Sequence, residues 1–116
     1  MSIKSRDWNE IAESYHRLVE YGWDIEPLLR FVEQIAASPY SQGVYATTSM
    51  ASLCIAQTPR FEMDQNMLRV DYEQERFIFS YRESPYISKA WNKECSKDEG
   101  FSTFEHTMRR LKWFLN

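Results

Sequence analysis

The hydrophobic and polar positions of this chain fall into short periods, and the clearest of them is a period of two. Leu68, Val70 and Tyr72 alternate with Arg69, Asp71 and Glu73, and Phe77, Phe79 and Tyr81 alternate with Ile78, Ser80 and Arg82. This is the pattern of two half-buried strands joined by a turn. With Gln74-Glu75 at the tip and Glu73 opposite Arg76, Tyr72 faces Phe77, Val70 faces Phe79 and Leu68 faces Tyr81, so one face is apolar throughout. The other face pairs Asp71 with Ile78, Arg69 with Ser80 and Met67 with Arg82. A slip of one residue would set apolar side chains against charged ones, so the register is strongly specified. The tip is less so: Gln-Glu is not the Asn-Gly or Asp-Gly pair that favours a tight turn, and a four-residue loop in the same register fits equally.

Elsewhere the period lengthens to that of a helix. Trp8, Ile11, Tyr15, Leu18 and Val19 share one face of a first helix, with Asp7 as cap, Glu10 completing a capping box and Gly22 as the stop. A second helix is expected from an Asp24 cap, with Pro27 in its first turn, an apolar stripe of Ile25, Leu28, Leu29, Val32, Ile35 and Ala36, and an end at Ser38-Pro39. Val44 to Thr48 reads as extended. Ser49 to Ala56 fits a strand or a buried helical segment, and a strand is preferred because a third strand would let the hairpin persist. Phe61-Glu62-Met63 adds a short extended piece before the turn at Asp64-Gln65-Asn66. From Glu83 to Gly100 the composition predicts a long polar connection, partly docked on the body through Tyr86, Ile87 and Trp91. A last helix is expected over about Thr103 to Leu115, opened by a Ser102/Glu105 capping box, with Phe101, Phe104, Met108, Leu111 and Leu115 on one face.

This order predicts an α+β fold: two N-terminal helices, an antiparallel meander of two to four strands, and a C-terminal helix packed on one face of the sheet. At 116 residues the chain is the size of one domain, residues 1–116. Aromatic residues make up 16%, which predicts an aromatic-heavy core. No run approaches the roughly 20 apolar residues of a membrane span, and the polar start Met-Ser-Ile-Lys-Ser-Arg-Asp-Trp lacks the apolar stretch of a secretory signal. A cytoplasmic protein with no membrane contact is expected. Cys54 and Cys95, without CxxC spacing, read as reduced thiols. A net charge of −3 with no dense basic block argues against a nucleic-acid partner.

The candidate chemistry is sparse. Glu13 and His16 have the spacing of a helical metal pair, but a di-iron site needs that motif twice, and Glu105-His106 are adjacent and diverge. Cys54 lies in an apolar run and reads as an inert core thiol. Cys95, between Lys93 and Lys97 but opposed by Glu94, Asp98 and Glu99, reads as a surface cysteine without a role. No GxSxG, P-loop or GxGxxG occurs, and three glycines leave little for a phosphate-cradling loop. Arg76 to Tyr81 has basic-aromatic character like an RNA-binding strand but lacks its glycines. No catalytic residue, metal ligand or cofactor is therefore assigned.

The long loop and the hairpin tip are where a partner is expected to bind. Tyr86 and Trp91, with Tyr40 and Tyr45 as further candidates, supply amphipathic aromatics. Asp64, Asp71, Glu73, Glu75, Glu94, Asp98 and Glu99 supply charge for a basic partner. In size, charge, element order and the Arg76-to-Trp91 hairpin and loop, the chain resembles the small bacterial immunity proteins that neutralise a toxin domain. That resemblance implies a non-enzymatic inhibitor, monomer or homodimer, that binds a basic toxin, often a nuclease, by complementary charge. Two alternatives stand beside it: a small-ligand or enzyme-like domain with a cleft between sheet and helices, and a self-associating structural or regulatory subunit.

Overall fold

The apolar stripes read along the chain converge on one face of a sheet. A computed structural model describes residues 3–62, 65–84 and 87–113, the side chains of 84 and 87–89 excepted. The elements in chain order are β1 (Ile3–Lys4), α1 (Trp8–Glu20), α2 (Glu26–Ala36), a 3-10 turn (Pro39–Gln42), β2 (Tyr45–Ser49), β3 (Ser52–Ala56), β4 (Arg60–Phe61), β5 (Met67–Glu73), β6 (Arg76–Ser84), β7 (Ile87–Ser96) and α3 (Gly100–Leu111). The class is α+β, as expected. The sheet, however, has five antiparallel strands in the order β2-β3-β5-β6-β7, and β1 and β4 form a separate two-stranded ribbon, so the expected two to four strands were too few.

The β5–β6 register is the one expected, pair by pair from Met67 opposite Arg82 to Glu73 opposite Arg76. Its tip is the tight form: Gln74 and Glu75 have φ of 52° and 62°, the paired positive values of a type I′ loop. Residues with a Cβ take this conformation at a cost of about 1 kcal/mol each. Ser49 to Ala56 resolves as a second hairpin, with Ser49 opposite Ser52 and the exposed Met50 at the turn.

The long polar connection is corrected by the structure. Most of it is β7, paired along β6 from Arg76/Ser96 to Ser84/Ile87. The sequence hid this strand because Lys89 and Lys93 interrupt the period-two row of Ile87, Trp91 and Cys95. At a sheet edge a lysine can still reach water, as the exposed Lys93 does, so such a row need not be apolar.

Helix ends follow backbone logic more than the expected caps. Asp7 caps α1 by accepting from the Asn9 amide at 2.8 Å. Gly22 ends it at φ 99°, with Gly22 N donating to Val19 O and Trp23 N to Leu18 O, each at 3.0 Å, a Schellman closure. Asp24 does not cap α2: Ile25 holds that position without a side-chain bond. α3 starts at Gly100, before the expected Thr103, and Ser102 lies inside its first turn, its hydroxyl donating to Glu99 O at 3.1 Å. It ends at Leu111, where Lys112 turns left-handed at φ 58°, and buried Trp113 packs on Tyr81 at 5.9 Å. Leu115, expected on its face, lies outside the described residues.

The core is aromatic at its centre. Phe31 of α2 lies 5.2 Å from Phe77, 5.9 Å from Phe79 and 5.8 Å from Phe104, ring centre to ring centre. Ile11 and Tyr15 of α1, Val32 and Ile35 of α2 and Met108 of α3 complete it against Leu53, Ile55, Leu68 and Val70. On the opposite face of the sheet, Phe61 packs on Cys54, Ala56 and Met67 in a smaller cluster under the ribbon. Among the described residues no helix is long and apolar enough to cross a membrane.

Candidate functional site

Three pieces of chain meet at the hairpin-tip end of the sheet. The type I′ tip presents Glu75. Beyond β7, the Ser96-to-Gly100 turn is tied down by Glu99, whose amide donates to Ser96 O at 3.0 Å and whose carboxylate accepts from the Ser96 hydroxyl at 2.8 Å. Gly100 lets this turn close onto the sheet, since a Cβ there would lie 2.7 Å from the Phe77 ring. Lys97 and Asp98 are thereby presented beside the tip. From the third side comes the start of α2, with Asp24, Glu26 and, one and two turns along the same helix face, Arg30 and Glu33.

Between these pieces lies an open cleft of about 830 Å³. Phe31 and Phe77 form its floor, and Tyr72 and Phe101, both half-buried, its sides. Five carboxylates (Asp24, Glu26, Glu33, Glu75, Asp98) stand against two cations, Arg30 and Lys97, leaving a formal charge of −3 on this one feature. The whole chain carries no more. Arg30 pairs with Glu26 at 3.4 Å and Lys97 with Glu75 at 3.3 Å. Burial raises the Tyr72 phenol above its ordinary pKa, and the Asp24 and Glu75 carboxylates raise it further, against Lys97 and Arg30. It stays a neutral hydroxyl across the physiological range.

The residues expected to bind a partner are divided among several places. Glu75 and Asp98 line the cleft, and Glu73 is exposed next to it at the end of β5. Glu99 is committed to its turn. Asp71 and Glu94 lie on the open face of the sheet and are already paired. Asp71 accepts from the Ser52 hydroxyl and pairs with Arg69 at 3.4 Å, and Glu94 pairs with Arg76 at 3.2 Å. Trp91 is held half-buried between Tyr81, 5.6 Å away, and the Arg110 guanidinium, 4.5 Å above its ring. Tyr40 packs on Phe104 at 5.2 Å and donates to Glu105 at 3.3 Å, whereas Tyr45 is 37% exposed. Asp64 and Tyr86 lie outside the described residues.

Asp24, Glu26, Glu33, Tyr72 and Phe101 were not singled out in the sequence as site residues: Asp24 reads there as a helix cap, and Tyr72 and Phe101 as core-face positions. The available signal was the acidic stretch after an aromatic turn: Tyr21 and Trp23, immediately before Asp24, are 83% and 50% exposed.

A smaller hollow of about 320 Å³ is lined by Cys95, Thr103, His106 and Lys93, among others. Cys95 is buried, contrary to the surface position expected from its neighbours, and burial pushes its thiol pKa up even though a hydrogen bond with Thr103 opposes this. A thiol held protonated is a poor nucleophile. Cys54 is buried and shifted the same way, again chiefly by burial. His16 pairs with Glu20 at 3.0 Å on an exposed helix face. Among the described residues no three His, Cys, Asp or Glu side chains converge as a metal site.

No protein-family model, curated protein or solved structure matches this chain.

Proposed function

We propose that this protein is a non-enzymatic binding module for a basic protein, acting as an immunity-type inhibitor that covers the surface of a toxin such as a nuclease, without cofactor or metal. The observation that carries this reading is the concentration of uncompensated carboxylates at the hairpin-tip end, with the exposed Tyr21 and Trp23 just before Asp24 in the chain. Aromatic anchors beside a charged rim are the composition of protein-binding surfaces, and a field of one sign speeds association with a partner of the other. The raised thiol of Cys95 disfavours the enzyme-like alternative in which this cysteine serves as nucleophile.

The test is capture of partners by the tagged protein from lysate of its source at low and moderate salt, alongside a Glu75→Lys/Asp98→Lys variant. One basic protein should be retained, released as salt rises, and lost with the variant. Association measured with that protein should slow by about tenfold or more on charge reversal. Equal recovery and equal kinetics with wild type and variant would remove the assignment.

A further inference from the structure

The cleft has features that a flat acidic patch would not need. Two half-exposed rings line it and are braced from behind: Tyr72 lies 5.0 Å from Phe77, and Phe101 lies 6.1 Å from Phe104, centre to centre, so both are backed by core aromatics. Its charge is unevenly answered. Asp24, Glu33 and Asp98 have no cationic partner within 4.0 Å among the described residues. Among the described residues, Lys97 reaches from the β7–α3 turn to Glu75 through a contact of 3.3 Å. That is long for a charge-assisted bond, which settles nearer 2.7–2.9 Å, and the Lys97 side chain keeps 46% of its surface open to water.

We infer that the cleft seats one arginine or lysine side chain of the partner, its stem along Tyr72 and Phe101 and its charge against Glu75 and Asp98, and that Lys97 is a stand-in cation displaced on binding. The inference rests on the partner being a basic protein and adds how it is gripped. A cation over an aromatic face is attracted by the ring's charge distribution, and the apolar stem of arginine or lysine buries well along ring surfaces. Lys97 occupies the same carboxylate in the free protein, which suits a site that must remain soluble until the partner arrives.

The experiment uses the full chain and a defined probe, the capped peptide acetyl-Arg-Arg-Arg-amide, with the citrulline tripeptide as its neutral, near-isosteric control. Titration at low salt, followed by aromatic NMR resonances, should shift Tyr72 and Phe101 saturably with the arginine peptide and not with citrulline. Tyr72→Leu, which keeps an apolar side chain against Phe77, should weaken binding by about threefold, and Lys97→Gln should tighten it by about threefold. Shifts confined to the Arg69-Asp71 face, no saturation at millimolar peptide, or a dissociation constant unmoved by Lys97→Gln would overturn the inference. The two readings fail separately. If Glu75→Lys/Asp98→Lys abolishes capture of a basic protein but Tyr72→Leu and Lys97→Gln leave it unchanged, the acidic surface stands and the side-chain seat falls. If none of these substitutions matters, both fall.

Discussion

The two faces of the five-stranded sheet are built from the same strands, yet they are held by different forces. On the helix-covered face Leu68, Val70, Phe77 and Phe79 are shut from water and interdigitate with Phe31, Phe104 and Met108. On the other face β5, β6 and β7 carry Arg69, Asp71, Arg76 and Glu94, whose side chains are 51%, 35%, 52% and 57% exposed and joined by ion pairs of 3.2–3.4 Å. Burying one aromatic side chain contributes about 2–3 kcal/mol, whereas a solvated ion pair contributes about 0–1 kcal/mol. The first face therefore sets most of the stability, and the ion pairs of the second can change with little effect on it, unlike the Cys54, Ala56 and Phe61 cluster that this face buries under the ribbon. The acidic cleft lies at the margin between them, where core rings come within reach of water.

The largest test of this contrast is Phe79→Ala, at the centre of the covered face. It should cost about 3–5 kcal/mol in urea unfolding, since the ring is fully enclosed and the site has little freedom to collapse; a loss below about 1 kcal/mol would break the comparison. Next is Gly100→Ala. Its new methyl would meet the buried Phe77 ring, and overpacking of this kind costs about 1–3 kcal/mol. In thermal unfolding it should lower the midpoint even though alanine is the better helix former.

A third test uses pH. Tyr15 donates to Ala51 O at 3.0 Å, and burial pushes its phenol well above the usual range. The folded state thus holds a proton that the unfolded chain releases near pH 10. Stability from this group is complete below that pH and falls as pH rises beyond it, by about 1 kcal/mol for the first full unit. Unfolding free energies measured between pH 9 and 11 should show a drop that Tyr15→Phe makes shallower; an identical slope in the variant would remove Tyr15 as its source. The smallest effect is expected on the open face, where Arg76→Ala or Glu94→Ala should change unfolding free energy by less than about 0.5 kcal/mol.

Much of the covered face was legible in advance, because alternation reports burial wherever one side of a strand is dry. Along β5 and β6, Leu68 to Glu73 and Arg76 to Tyr81 satisfied it at every position but Ile78, and the register followed residue by residue. β7 broke the same rule through Lys89 and Lys93, and the two-residue strands β1 and β4 are too short to show any period. The candidate site was half legible. Glu75 and Asp98 were expected in a partner surface, but with them were grouped Asp71 and Glu94, which pair on the open face, and Trp91, which is held against Tyr81 and Arg110. Charge and aromaticity identify what a side chain offers, not whether an internal partner has already taken it.

By itself the sequence determined the α+β class, the two N-terminal helices, the β5–β6 pairing and the stop at Gly22, all features decided by neighbours within a few residues. Tertiary structure alone decided that β7 pairs with β6, that Gly100 closes on Phe77, and that the start of α2 stands beside Glu75 and Asp98 to enclose the cleft. Apart from the near end of the β6–β7 hairpin, these juxtapositions join residues well separated along the chain. They depend on how helix and sheet side chains fill their shared volume, which no local period records.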